Sequence, residues 1–176
     1  SGIPMGDLGG GVFGSIGVLA ALLGREKTGR GQHVDISMLD VQISLLTYMG
    51  TMSLMSNEAP QGIGNGHFVH VPYNCYATQD GHISIACIGD AFFAKFVECM
   101  DIEELKKPEY LSQPIRFAAK AQIDQIIANE LLKNTNEYWL AKLKEARIPS
   151  GPVNNMLQAL ADEQVVARDM VAEVEL

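Results

Sequence analysis

The chain has 176 residues, of which 47% are hydrophobic and 19% are charged, so it is long and apolar enough to form a packed core. Its formal net charge of -8 argues against partners that are bound through positive charge, namely nucleic acid and anionic membrane surfaces. The three cysteines, Cys75, Cys87 and Cys99, form no closely spaced pair, which predicts free thiols in a reducing compartment and a cytoplasmic location.

The first predicted element is a helix over residues 8–25, which follows a loop rich in glycine and proline. Its apolar stretch, residues 8–23, is shorter than the roughly 20 residues that span a bilayer. We therefore expect a helix buried in protein and no membrane span. Gly10, Gly14 and Gly17 share one face of this helix, which indicates that another segment approaches it closely.

Asp7 stands where the loop meets the helix, and it is the only charged side chain before Arg25. A carboxylate at a helix start faces backbone N–H groups and the positive end of the helix dipole. This position suits a helix N-cap, for which aspartate is a preferred residue. It suits a carboxylate nucleophile equally well, so local chemistry leaves both interpretations open.

A second helix is expected to follow a short strand. Residues 32–36 alternate in polarity, which predicts the strand, and the Ser-x-x-acid pattern of Ser37 and Asp40 predicts the helix start. The helix runs to about Met55. Apolar residues lie on most of its faces, so we expect it to be largely buried.

Residues 57–72 resemble a linker and contain a glycine-rich stretch. This stretch either links two parts of the chain flexibly or forms a mobile loop that closes over a reacting centre. It does not follow a strand and open a helix, so the dinucleotide-binding pattern fails on context. His67 and His70 come next without an acidic or thiol partner nearby, and we expect solvated or structural histidines and no metal site. The residues of the stretch that matter below are Gly62, Gly64, Asn65 and Gly66.

The remainder of the chain predicts an α+β unit that begins with a β-hairpin around Asp80-Gly81. Its predicted elements are strands over 73–78 and 82–88, a helix over 91–100 capped by Asp90, one-turn segments bounded by Pro108 and Pro114, helices over 118–133 and 136–146, an extended connector over 148–153, helices over 156–160 and 163–168, and a strand over 170–176.

Six stretches, taken in order, are similar to a known family. They are residues 2–8 (GIPMGDL), 19–23 (LAALL), 25–40 (REKTGRGQHVDISMLD), 76–81 (YATQDG), 148–154 (IPSGPVN) and 171–175 (VAEVE). On these stretches, of which 27–40 is the most specific, the chain resembles the class III CoA-transferase (CaiB/BaiF) family over essentially its whole length.

The resemblance implies an α/β fold of the interlocked-dimer type, truncated to a central and C-terminal fragment. Residues 1–56 would belong to a large Rossmann-like domain that carries the catalytic aspartate. Residues 57–72 would form the linker and glycine loop, and residues 73–176 a small α+β domain with a return strand. A homodimer is expected. The segments that hold most of the CoA would lie upstream of Ser1, so we expect the isolated chain to bind CoA weakly and to be inactive.

The resemblance also implies the chemistry. Family members move coenzyme A from an acyl-CoA to a carboxylic acid, without a metal ion. Asp7 matches the nucleophile that forms a mixed anhydride and then an aspartyl-CoA thioester. Gly62, Gly64, Asn65 and Gly66 match a glycine loop that shields these intermediates from water, although here Ile63 and Asn65 interrupt the glycine run.

Two other interpretations remain open at this point. One is an α-methylacyl-CoA racemase, a relative in which Asp7 would transfer a proton beside the thioester carbonyl. That branch needs an upstream histidine and has an acid followed by a Pro-x-Phe pattern, whereas residues 88–93 here read IGDAFF. The other is a non-catalytic interaction fragment whose helices pair with another copy.

Overall fold

The computed structural model describes residues 2–174, and the chain divides into two compact units. Unit 1 is Ser1–Gly62 and unit 2 is Ile63–Leu176. The division between them falls inside the range 57–72 for which the sequence predicts a linker. The assignment of the two parts to a large and a small family domain stays a prediction.

Unit 1 consists of α1 (Met5–Thr28), α2 (Met38–Leu45) and α3 (Thr47–Ser56). The start of α2 is as predicted, because the Ser37 side chain accepts a hydrogen bond from the Asp40 N–H at 3.2 Å. The single long helix predicted after it is wrong: α2 and α3 are separated where Thr47 adopts a left-handed φ of 50°. The strand predicted over residues 32–36 is also wrong, since no described segment pairs with it.

The glycines of α1 let α2 and the preceding segment approach closely. A Cβ added at Gly17 would lie 2.7 Å from Val34 Cγ1, and one added at Gly9 would lie 2.9 Å from Val41 Cγ1. Gly10 faces Met38 in the same way, but an added Cβ at Gly14 would meet open space. The expected close approach is therefore confirmed for Gly10 and Gly17 and not for Gly14.

The predicted burial of the unit 1 helices is wrong within this chain. Among the residues that the structure describes, unit 1 buries only Val41, while Leu54 is 87% exposed. The physical reason is that apolar residues occupy most faces of each helix, whereas each helix packs against the others along one side only. By length and composition α1 could cross a membrane, and its most apolar 18-residue window is 0% buried.

Unit 2 contains a three-stranded antiparallel sheet in the order β1 (Tyr73–Ala77), β2 (His82–Ala86), β3 (Ser150–Pro152). The predicted hairpin is confirmed, with Tyr76 opposite Ile83. The third strand takes the place of the extended connector that the sequence predicts there. Pro149 precedes this strand and Pro152 is its last residue, which an edge strand tolerates because its outer side needs no backbone donor.

The helices of unit 2 follow the predicted order with small shifts at their ends. No strand is present over residues 170–174, so that part of the predicted terminal strand is wrong, and residues 175 and 176 lie outside the described residues. The helices are α4 (Asp90–Met100), α5 (Gln113–Ala118), α6 (Lys120–Leu131), α7 (Asn136–Glu145), α8 (Met156–Leu160) and α9 (Glu163–Ala167), with 3₁₀ helices at Glu103–Leu105 and Pro108–Leu111.

A single hydrophobic core forms between the sheet and the helices of unit 2. Trp139 of α7 is central to it, and its indole N–H donates to the Leu131 carbonyl at 2.8 Å. This α+β unit, together with a separate helical region, confirms the predicted fold class. The fully buried side chains of the core include Ile83, Ile85, Phe93, Phe96, Leu105, Ile123, Ile127, Leu131 and Leu143.

Candidate active site

Asp7 lies in the first turn of α1, as its third residue. The helix begins earlier than the sequence predicts, because the Pro4 carbonyl accepts from the Leu8 N–H at 3.0 Å and Pro4 is therefore the N-cap. The interpretation of Asp7 as an N-cap is thus wrong. Asp7 still belongs to the first turn, at the positive end of the helix dipole.

The Asp7 side chain is exposed, and within residues 2–174 it forms no side-chain hydrogen bond or ion pair. Gln42 of α2 packs against Gly6, the residue before Asp7, since a Cβ added at Gly6 would be 3.1 Å from Gln42 Nε2. Sequence reasoning missed Gln42, because only the packing of α1 on α2 brings it to this end of the helix. An exposed carboxylate without a competing cation is accessible to an electrophile.

The predicted glycine loop is an ordered turn over residues 63–66. The Gly66 N–H donates to the Ile63 carbonyl at 3.2 Å, and Gly64 has a φ of 63°, which favours glycine. Asn65 and Gly66 complete this turn in unit 2. Gly62 belongs to unit 1, where an added Cβ would meet nothing within 4 Å.

His67, the first of the two histidines that follow the turn, makes local hydrogen bonds to the backbone. His67 Nδ1 accepts from the backbone N–H groups of Val69 at 2.9 Å and His70 at 3.1 Å. Burial and the neighbouring His70 lower the pKa of His67. The described residues hold no group of three or more His, Cys, Asp or Glu side chains arranged for a metal ion.

Arg116 of α5 is fully buried and was missed by sequence reasoning. Its guanidinium donates to the carbonyls of Val71 at 3.1 Å and Tyr110 at 2.6 Å, and it lies 4.4 Å from the centre of the Phe93 ring. It also donates to Asp90 at 2.6 Å. Asp90 is therefore an ion-pair partner, and the helix cap predicted for it is Gly89 instead.

The three cysteines differ in burial, and Cys87 is the buried one. All three are free thiols. Burial raises the pKa of Cys87 to about 12, so it remains protonated at neutral pH.

The sequence and the fold both match known proteins. The profile of CoA-transferase family III matches residues 1–176. The chain is 31% identical over 176 residues to a succinate–glutarate CoA-transferase of Agrobacterium fabrum, covering 99% of this chain and 44% of that protein. It is 32% identical over 174 residues to the alpha subunit of a succinyl-CoA–L-malate CoA-transferase of Chloroflexus aurantiacus, covering 98% of this chain and 41% of that protein.

Among solved structures, a CaiB/BaiF family protein from Brucella suis superimposes with a TM-score of 0.84 at 29% identity, covering 97% of this chain and 45% of that chain. This chain therefore spans less than half the length of the proteins it matches. Because the family profile covers every residue, the chain belongs to CoA-transferase family III.

Proposed function

We propose that this chain supplies the catalytic aspartate and the glycine turn of a CoA-transferase that moves CoA from an acyl-CoA to a carboxylic acid. The observation that carries the proposal is the exposed Asp7 carboxylate at the start of α1, in a chain that belongs to this family. The relatives named above act on succinate, glutarate and malate or their CoA esters, so short dicarboxylates are the first substrates to test.

In the first half of the reaction, a carboxylate oxygen of Asp7 attacks the thioester carbonyl carbon of the acyl-CoA donor. The C–S bond breaks, CoA leaves as a thiolate, and a mixed anhydride forms. The thiolate then attacks the Asp7 carbonyl carbon of the anhydride. The donor acid leaves as a carboxylate, and an aspartyl-CoA thioester remains.

The second half reverses these steps with the acceptor acid. Its carboxylate attacks the aspartyl thioester and expels the CoA thiolate, which forms a second anhydride. The thiolate attacks the acceptor's carbonyl carbon, and Asp7 is released as a carboxylate. No net proton or electron is exchanged, so carboxylate and thiolate groups suffice for the bond changes.

Local features of each unit support this chemistry. Each attack places negative charge on a carbonyl oxygen, which first-turn amides and the dipole of α1 would stabilise. Anhydrides and thioesters hydrolyse readily, so the turn at residues 63–66 would serve to exclude water. Its hydrogen bond and its left-handed Gly64 favour a defined cover over a flexible linker.

The exposed apolar surface of unit 1 supports a larger assembly. We infer that α1 and α3 pack against the rest of a longer protein and against a second copy, and that this protein is cytoplasmic. The remaining part of the protein would then bind most of the CoA. The isolated chain would accordingly bind CoA weakly and turn over nothing.

The test is mass spectrometry of the full-length protein incubated with succinyl-CoA, acetyl-CoA or glutaryl-CoA and then with hydroxylamine. We expect a hydroxamate at Asp7 that forms only with a productive donor and is absent from the Asp7→Asn variant. Deuterium exchange at the α-carbon of a 2-methylacyl-CoA, measured in parallel, detects a racemase. Exchange without a trapped adduct, or transfer that survives Asp7→Asn, would contradict the proposal.

A further inference from the structure

The turn at residues 63–66 contacts a lysine of α6 that the proposed chemistry leaves unused. A Cβ added at Gly66 would lie 3.1 Å from both Cε and Nζ of Lys120. The ammonium group therefore packs directly against the Gly66 backbone. The Lys120 side chain is 24% exposed, so it is fixed between the turn and the body of unit 2.

Asp124, one helical turn further along α6, holds this lysine in place. Lys120 Nζ donates to Asp124 Oδ2, and the same oxygen accepts from Asn74 Nδ2 at 3.2 Å. The Tyr76 hydroxyl donates to Asp124 Oδ1 at 2.6 Å. Burial and the hydrogen bond to Asp124 raise the pKa of Tyr76, so the hydroxyl remains a donor.

These contacts link the turn to β1 of the sheet. Asn74 and Tyr76 are two residues apart on β1 and so share one face of the sheet. Asp124 connects that face to Lys120, and Lys120 contacts Gly66. The Lys120–Asp124 pair is largely shielded from water, in contrast to Lys133–Glu130, where the lysine is 63% exposed.

We propose that Lys120 is a positioning residue: held by Asp124, it keeps the glycine turn where it excludes water from the acyl intermediates. This inference rests on the proposed function of the turn. When the turn moves, water attacks the anhydride carbonyl, the C–O bond breaks, and the donor acid and Asp7 are released as carboxylates together with two protons. Attack of water on the aspartyl thioester breaks the C–S bond and releases the Asp7 carboxylate, CoA thiol and one proton, so acyl-CoA is hydrolysed without transfer.

The first experiment measures, in the full-length protein, the ratio of acyl-CoA hydrolysed to acyl-CoA transferred. We expect Lys120→Met to raise this ratio about tenfold, the size of effect that follows when a positioned group is displaced slightly. Lys133→Met removes an ion pair at the end of the same helix and should leave the ratio unchanged. A variant that is merely less folded loses both reactions equally, so the ratio reports positioning and not stability.

The second experiment measures amide hydrogen exchange at Gly66 in the 176-residue chain, where no activity is needed. Lys120→Met and Asp124→Asn should speed this exchange about tenfold, while Lys133→Met should not. An unchanged Gly66 exchange rate overturns the proposal whatever the ratio does. An unchanged ratio in an active transferase overturns it too. If the wild-type protein transfers no CoA, the proposed function fails, and the exchange rates alone decide whether Lys120 anchors the turn.

Discussion

The two units of this chain use their apolar residues in opposite ways. Unit 2 buries them in one continuous core between a sheet and helices, around Trp139 and Ile83. Unit 1 has longer apolar runs but, of its described residues, buries only Val41. The difference teaches that hydrophobic composition predicts that residues will be buried. It does not predict which part of the protein buries them. Unit 2 satisfies that need internally, whereas for unit 1 we infer that other protein does so.

The largest expected difference is in local stability. In the dilute 176-residue chain we expect the amides of α1 and α3 to exchange with an opening free energy near zero. The core amides of α6 and β2 should be protected by about 5 kcal/mol, a typical value for a small folded unit. Hydrogen-exchange mass spectrometry of the chain measures both. If the amides of both units are equally protected in a chain shown to be monomeric, the predicted difference between the units is wrong.

Asp7→Asn should separate activity from stability in the full-length protein. Asp7 is exposed and forms no hydrogen bond or ion pair with a described side chain, so the melting temperature should hold steady. Transfer should fall by about 10³-fold or more, as when a nucleophile is removed. Calorimetry and a coupled CoA-transfer assay measure the two quantities. A fall in melting temperature that parallels the fall in rate would indicate a structural role for Asp7.

Arg116→Met should lower the stability of unit 2, whereas Asp7→Asn should lower activity and leave stability unchanged. It removes a buried guanidinium and leaves the carbonyls of Val71 and Tyr110 without a donor, which costs about 3 kcal/mol of unfolding free energy. Urea denaturation of the 176-residue chain, followed by Trp139 fluorescence, measures this loss. Lys107→Met, an exposed cation nearby, is the control and should change the midpoint little. A comparable loss in the control would show that the buried hydrogen bonds are not the cause.

Two glycines of α1 should respond oppositely to the same substitution. Gly17→Ala places a methyl group 2.7 Å from Val34 Cγ1, so it should reduce the helical circular dichroism of the chain. Gly14→Ala meets open space and should raise it, because alanine favours a helix by about 1 kcal/mol over glycine. If Gly14→Ala destabilises the full-length protein but not the 176-residue chain, the Gly14 side of α1 is the side that the rest of the protein covers.

The smallest expected effect concerns His67. Its pKa is lowered from the ordinary value of 6.5, so the unfolded chain binds the proton more readily than the folded one. Its contribution to stability is therefore fully present above pH 6.5 and is lost as the pH falls through the lower folded value. Protonation at Nδ1 also removes the acceptor for Val69 and His70. An NMR titration of His67 with a midpoint at or above 6.5 would contradict this.

Local patterns predicted the local structure well. The Asp80-Gly81 turn predicted the hairpin, and Ser37 predicted the start of α2. Asp7 and residues 62–66 were identified through the family resemblance, which the family profile supports over the whole chain. Each of these features depends on a short stretch of sequence, so it can be predicted without knowledge of the three-dimensional structure.

The features that sequence reasoning missed depend on partners distant in the chain. β3 exists only because β2 lies beside it, and nothing in its three residues distinguishes it from a proline-rich connector. Arg116 was missed because an isolated arginine usually lies at the surface, and only the fold supplies its carbonyl acceptors. The burial predicted for unit 1 failed for the same reason, since no local pattern shows which protein covers a helix.

The pairing of β3 with β2 has a consequence for synthesis of the protein. The Ser84 hydroxyl donates to the Gly151 carbonyl, 67 positions later in the chain. The sheet is therefore incomplete until nearly all of unit 2 has left the ribosome. Until then β2, the middle strand, has one unpaired edge. A translational pause before residue 150 should consequently increase aggregation through the exposed edge of β2.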